Sequence, residues 1–204
     1  MTEQHPSWNE LLQKYCREPE VRQVIFVQQT EGSMARVQLY VKTEEYPDFW
    51  TKLLTCEGYI GRNGLGKTTE GDMKTPMGDF GVFTAVGMKD NPGTKADYVK
   101  LDEHIFCAEG EFYNLLLDDR VIPREVIDEN GGDHMNDMSP QFNYGMFLDY
   151  NKERILGKGS YIFLHCDGPN PFTAGCVAVS EENMKFILQN VDNNVRVCIY
   201  PLIE

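Results

Sequence analysis

At 204 residues, with 41% hydrophobic and 25% charged side chains, the chain is long enough to bury one substantial core and has an ordinary globular composition. Its formal net charge of −13 argues against general nucleic-acid binding, because so few cations remain to neutralise phosphates. No run approaches the about 18 apolar residues of a membrane-spanning helix. The start, Met1 to Trp8, has neither a basic n-region nor an apolar h-region, so no export signal is expected in it; the chain is then cytoplasmic or trimmed. Six cysteines (Cys16, Cys56, Cys107, Cys166, Cys176, Cys198) are scattered, without a CxxC pair. That pattern argues against a structural zinc site and gives no disulfide framework.

In chain order, Ser7 to Glu10 forms a capping box, and Trp8, Leu11, Leu12 and Tyr15 recur at helical spacing, which predicts a short amphipathic helix ending before Pro19. Residues 22–29 and 35–42 flank the turn residues Thr30, Glu31, Gly32 and Ser33 and predict a hairpin. Residues 49–60 continue the sheet, 61–79 form a long loop rich in Gly, Lys, Thr and Asp, and 80–86 return as a strand. The interval 87–143 is mixed, with short strands at 98–101 and 112–117 and a polar loop at 128–134. Residues 144–149 and 161–165 are strands separated by a turn at 151–159. Ser180 caps a second helix whose Glu181 and Glu182 suit its positive end and whose Met184, Ile187, Leu188 and Val191 form one apolar face. Residues 195–203 close as a strand. Many strands, few helices and no strand–helix–strand alternation predict a mainly β single domain. Residues 1–20 are expected to pack as an N-terminal helix on a domain spanning 21–204.

One motif match is a decoy. Gly61-Arg-Asn-Gly-Leu-Gly66-Lys67-Thr68 fits the phosphate-binding pattern GxxxxGK[ST] letter for letter. That pattern binds phosphate only where the loop opens a helix whose amides and dipole face the anion. Here two glycines and Pro76 follow, so a Gly-rich loop built from positive-φ turns is the preferred reading and nucleotide binding is not expected.

The chemistry concentrates in Tyr161-Ile-Phe-Leu-His165-Cys166 and Thr173-Ala174-Gly175-Cys176-Val-Ala-Val. Two apolar runs, joined by a Pro/Gly/Asn loop, place an imidazole at the end of one and a thiol after a glycine at the start of the other. An imidazole that takes the thiol's proton converts a weak nucleophile into a strong one. The plain alternatives are a buried free thiol for Cys176 and a satisfied core histidine for His165.

Together with the segment from Gly58 to Phe80, which contains Thr75-Pro76-Met-Gly78-Asp-Phe80, these residues resemble the L,D-transpeptidase catalytic domain (YkuD type) of bacterial cell-wall enzymes. The resemblance covers about residues 55–200 and rests on two separate motifs in the expected order. It implies a single-domain, mixed β-sandwich or barrel-like fold, Cys176 as nucleophile, His165 as base and the backbone carbonyl of Cys166 as the group that orients the ring. It also implies a two-step reaction without a cofactor. The thiolate attacks the bond to the terminal D-residue of a peptidoglycan stem tetrapeptide, and the acyl group passes to an amine or, in a carboxypeptidase, to water. Gly175 is expected to let the backbone pass close to substrate, with Thr173, Ala174, His134 and Arg62 as substrate contacts, against the plainer readings of a solvated loop histidine for His134 and a solvated loop cation for Arg62. The 174–176 turn is expected to supply oxyanion donors. Lys67 and Lys74 are further candidates for a stem peptide's carboxylates, against the plainer reading of solvated loop cations. Cys166 is read as a packed side chain, with an oxidised pair to Cys176 as the alternative. The commoner motif has Ser/Thr-His-Gly-Cys, so Ala174 departs from it on the acceptor side. The resemblance implies work outside the cytoplasm and acylation by carbapenems. A silent wall-binding module on the same fold is the rival class.

Overall fold

A computed structural model describes residues 5–43, 45, 46 and 49–201. Its elements are α1 (Trp8–Cys16), β1 (Gln23–Gln29), β2 (Met34–Val41), β3 (Thr51–Tyr59), β4 (Gly78–Phe80), β5 (Val82–Gly87), β6 (Tyr98–Lys100), β7 (Ile105–Cys107), β8 (Leu116–Asp118), α2 (Arg124–Glu129), β9 (Asp133–His134), β10 (Gly145–Leu148), β11 (Phe163–Cys166), β12 (Val177–Val179), α3 (Glu181–Gln189) and β13 (Arg196–Pro201). Ten strands form one sheet in the order β4-β13-β1-β2-β3-β12-β11-β10-β5-β6, and β8-β7-β9 form a small second sheet. The mainly β expectation describes the chain. Among the described residues no helix is long and apolar enough to cross a membrane.

Local sequence accounts for the ends of the helices. At α1 the Ser7 N–H donates to Glu10 Oε2 at 2.7 Å and the Glu10 N–H donates to Ser7 Oγ at 3.3 Å, the reciprocal pair of a capping box. At α3 the Asn183 N–H donates to Ser180 Oγ. β1 is buried on both faces: Ile25 and Val27 enter the main core, whereas Val24 and Phe26 lie under Leu11 and Tyr15 of α1, with Trp8 stacked on Phe26 at 4.3 Å. A strand covered by a helix on one side and a core on the other reads as a continuous apolar run, as Val24 to Val27 does. Each such side chain withdrawn from water contributes about 1.5–3 kcal/mol before entropy is counted.

The stretch that positions the site is β11 and β12. They are parallel neighbours with Leu164 opposite Val177, His165 opposite Ala178 and Cys166 opposite Val179. Alternation along each strand separates two faces. Leu164, Cys166, Val177 and Val179 turn into the main core against Met184, Ile187 and Leu188 of α3. Phe163, His165, Cys176 and Ala178 turn to the other face, where they line a cavity. That face is partly covered by a second cluster in which Ile105, Met135 and Phe142 pack on Phe147 and Phe163, bringing the small sheet over the large one.

The interval 87–143 is more ordered than its sequence suggests. Besides β6, it holds β7, α2 and β9, none of them expected. The strand expected at 112–117 is a 3₁₀ turn over Gly110–Phe112 followed by β8, and the polar loop at 128–134 divides between the end of α2 and β9. The strand expected from Tyr161 begins at Phe163, because Tyr161 has φ +50°, a left-handed conformation that no strand residue adopts. The closing strand runs over Arg196–Pro201, and the expected extension to Ile203 lies outside the described residues.

Candidate active site

His165 sits in β11 with its side chain buried against the ring of Phe142, whose centroid lies 5.1 Å away. Its Nδ1 is 2.7 Å from the carbonyl oxygen of Cys166. A carbonyl only accepts, so the proton of the neutral ring belongs on Nδ1, and Nε2 is left as a free base. Burial lowers the imidazole's pKa, partly offset by that carbonyl, so the ring is neutral at physiological pH.

Cys176 lies one residue before β12, half-buried. Its Sγ is 3.3 Å from the carbonyl of Tyr161, to which the thiol donates, and it accepts from the Phe163 N–H at 3.4 Å. Burial pushes the thiol up to about 11, against the opposing pull of the Phe163 N–H and the Lys67 charge. The resting forms on this cavity are therefore a thiol and a neutral imidazole rather than a standing ion pair.

The loop before Cys176 is held by hydroxyls. Thr173 Oγ1 donates to the Cys176 carbonyl at 2.6 Å and accepts from the Gly175 N–H at 3.1 Å. The fully buried Thr75 donates to the same carbonyl at 3.2 Å and accepts from the Gly61 N–H at 2.8 Å. Thr75 is the first residue of the Thr-Pro-x-Gly-x-Phe run, so the two motifs meet at one carbonyl. The main chain of Thr173 also pairs with Ile60 and Arg62, which ties the loop to the end of β3. Gly175 has φ +154°, and a Cβ there would fall 2.9 Å from the Lys74 carbonyl and 3.2 Å from Ile162 Cδ1. Only glycine fits.

Among the described residues, the cavity lined by His165 and Cys176 has a volume of about 690 Å³, and Met73, Met135, Phe142, Tyr161 and Phe172 make most of it apolar. Thr173 and Ala174 line it, as the sequence suggested. Arg62 and His134 do not. The Arg62 guanidinium stacks on Phe172 at 4.0 Å, so it braces a wall of the cavity from outside. His134, in β9, packs on the ring of Phe106 at 4.1 Å with its Nε2 3.4 Å from Arg124. Lys67 is not a solvated loop cation: its side chain is 2% exposed and its Nζ is 2.9 Å from Asp72 Oδ1. No helix follows it, so the arrangement that a phosphate-binding loop needs is missing there. Cys166 and Cys176 are both free, and alternation sends their side chains to opposite faces of the sheet, which overturns the oxidised-pair alternative.

Three lining residues had no individual signal in the sequence. Tyr161, Phe142 and Met135 reach the cavity only through the second cluster, a tertiary contact. Thr75 was visible inside its motif, although its partner was not.

The profile of the YkuD family, the L,D-transpeptidase catalytic domain, matches residues 22–199, and the chain belongs to that family. No curated protein matches the sequence. Among solved structures the chain is similar to the crystal structure of the helical cell shape determining protein Pgp2 from Campylobacter jejuni, with 16% identity and a TM-score of 0.47. That match covers 95% of this chain and 56% of the other, so the chain spans little more than half of that structure's length.

Proposed function

We propose that this chain is a cysteine acyltransferase of the L,D-transpeptidase type, acting on peptidoglycan stem tetrapeptides outside the cytoplasm. The observation that carries the reading is the shared face of β11 and β12. It puts the free-base Nε2 ring of His165 and the Cys176 thiol on one apolar cavity, with the ring's tautomer set by the Cys166 carbonyl.

In the first step the thiol leaves the Tyr161 carbonyl, gives its proton to His165 Nε2, and its sulfur bonds to the carbonyl carbon preceding the terminal D-residue. The carbon–nitrogen bond then breaks, and the departing amine takes the proton back from the imidazolium. In the second step an acceptor amine attacks the thioester, with His165 as base, and the Cys176 thiolate departs and is reprotonated. The developing oxyanion needs a backbone donor. The Gly175 N–H is committed to Thr173 Oγ1, whereas among the described residues no protein group accepts the Cys176 N–H, which suits it to that role.

The carboxypeptidase reading uses the same residues with water as acceptor: Ala174, exposed at the mouth of the cavity, leaves the thioester open to solvent. Incubation with disaccharide-tetrapeptide, with and without a second stem peptide, followed by mass analysis, separates the two. Crosslinked dimer with D-alanine release supports transpeptidation; tripeptide with D-alanine and no dimer supports hydrolysis. No D-alanine from the wild type contradicts both and favours the silent binding module. ATP titration with Lys67→Ala as control is expected to give no binding by either protein.

A further inference from the structure

The pattern that imitates a phosphate loop leaves Lys67 unassigned, and its surroundings are specific. The side chain runs inward past Gly159: a Cβ on that glycine would fall 2.4 Å from Lys67 Cε and 3.1 Å from Cδ. Its Nζ ends 3.5 Å from the place a Cβ on Gly175 would occupy, directly beneath the loop that carries Cys176. One carboxylate meets it, Asp72, which is itself gripped by the N–H groups of Thr68, Thr69 and Lys74 at 2.8–3.1 Å. Against the upward pull of burial, the Lys67 side chain and these donors hold Asp72 well below the usual carboxylate range, so the carboxylate stays charged. A buried ion pair of this kind is weak evidence for stability, since apolar replacements of equal volume are often no worse. Its placement against the catalytic loop calls for another account.

We propose that Lys67 is a positioning residue for Cys176: its buried charge, threaded through the gap at Gly159 to the underside of Gly175, favours the thiolate of Cys176 over the thiol. Of the other groups facing the thiol, the uncharged Phe163 N–H also favours the thiolate, and no second positive charge does. His165 is neutral, Tyr161 and Cys107 are neutral across the cavity, Asp137 stands at the rim, and among the described residues the cavity lining holds no lysine or arginine. The proposal rests on Cys176 being the nucleophile, but its physical content is the ionisation of that thiol.

The test is the rate at which iodoacetamide alkylates Cys176 at about pH 8, followed by peptide mass mapping so that the exposed Cys16 serves as an internal standard. Removing a nearby opposite charge raises a thiol's pKa, and losing the Asp72 charge offsets part of that rise, so K67M/D72N is expected to slow alkylation of Cys176 several-fold and leave Cys16 unchanged. Asp72→Asn alone, which keeps the ammonium and removes its counter-charge, is expected to accelerate it. An unchanged Cys176 rate in a K67M/D72N protein that melts as the wild type does overturns the proposal. An Asp72→Asn rate at or below wild type overturns it as well, and that variant decides the matter if the double variant does not fold. Because alkylation needs no substrate, its outcome is separate from D-alanine release, whose absence would sink the acyl-transfer reading instead.

Discussion

The Nδ1 of His165 lies 2.7 Å from the carbonyl oxygen of Cys166, the residue that follows it in β11. One peptide step therefore fixes both the tautomer and the tilt of the ring. A change at residue 166 that keeps the backbone should keep this bond. Cys166→Ala removes a buried thiol from the core on the far face of the sheet. It is expected to cost about 1 kcal/mol of stability from lost packing, with kcat retained, whereas His165→Ala is expected to lower kcat by a factor of about 10²–10⁴. Steady-state kinetics beside thermal melts check both.

The buried imidazole makes a pH prediction with a definite sign. Its pKa in the folded chain lies below the ordinary value of 6.5, so the base stays neutral and competent as the medium is acidified past that value. The acid limb of kcat/KM is expected below pH 6.5. Unfolding releases the ring to its ordinary pKa, so the unfolded chain binds the extra proton first, and stability is lost as pH falls from 6.5 towards the lowered value. Denaturant titrations across that window should show a slope that His165→Gln reduces.

Gly175 is required by its φ of +154° and by the Lys74 carbonyl 2.9 Å from its missing Cβ. Gly175→Ala is expected to cost about 1–3 kcal/mol and to move the thiol out of register, with kcat falling more than stability explains. A melt that changes while kcat does not would show that the loop relaxes without consequence.

The two threonines on the Cys176 carbonyl differ in burial. Thr75→Val leaves the Gly61 N–H without its acceptor in a fully buried place and is expected to cost about 1–3 kcal/mol. Thr173→Val, at the partly exposed loop, is expected to cost about 1 kcal/mol while freeing the Gly175 N–H. Chemical denaturation of both variants gives the comparison.

Arg62 braces Phe172 rather than facing the cavity. Arg62→Ala is expected to remove about 0.5–1 kcal/mol of cation–π contact and to raise KM a few-fold with kcat kept. A loss in kcat as large as that of His165→Ala would instead make Arg62 a direct substrate contact.

The sheet and the site were unequally legible. Strands such as β1 and β2 announce themselves because each buries a full face, and α1 and α3 are marked by Ser7 and Ser180 caps. The His165 and Cys176 segments were readable because a glycine-preceded thiol and a strand-end imidazole have few other reasons to be neighbours. The roof was not. β7, β8 and β9 have two or three residues each, too short for a period to show, and their pairing is decided by contacts between Ile105, Met135 and Phe142 and the distant Phe163. Arg62 and His134 are contact candidates only through the resemblance, as a loop cation suited to a carboxylate and a histidine ahead of Tyr144. Phe172 and Phe106 offer them faces instead, which no local pattern reveals. Lys67 escapes a sequence reading for the opposite reason: a lysine in a polar loop reads as exposed unless its Asp72 partner and its own burial are known.

The central claim is that Cys176 carries the acyl group. Wild-type protein mixed with disaccharide-tetrapeptide, quenched in acid and mapped by mass spectrometry, is expected to show a hydroxylamine-labile adduct, lacking the terminal D-alanine, on the peptide that contains Cys176. Cys176→Ala is expected to show neither adduct nor D-alanine release. Release of D-alanine by Cys176→Ala at the wild-type rate, or an adduct on another residue, would contradict the account.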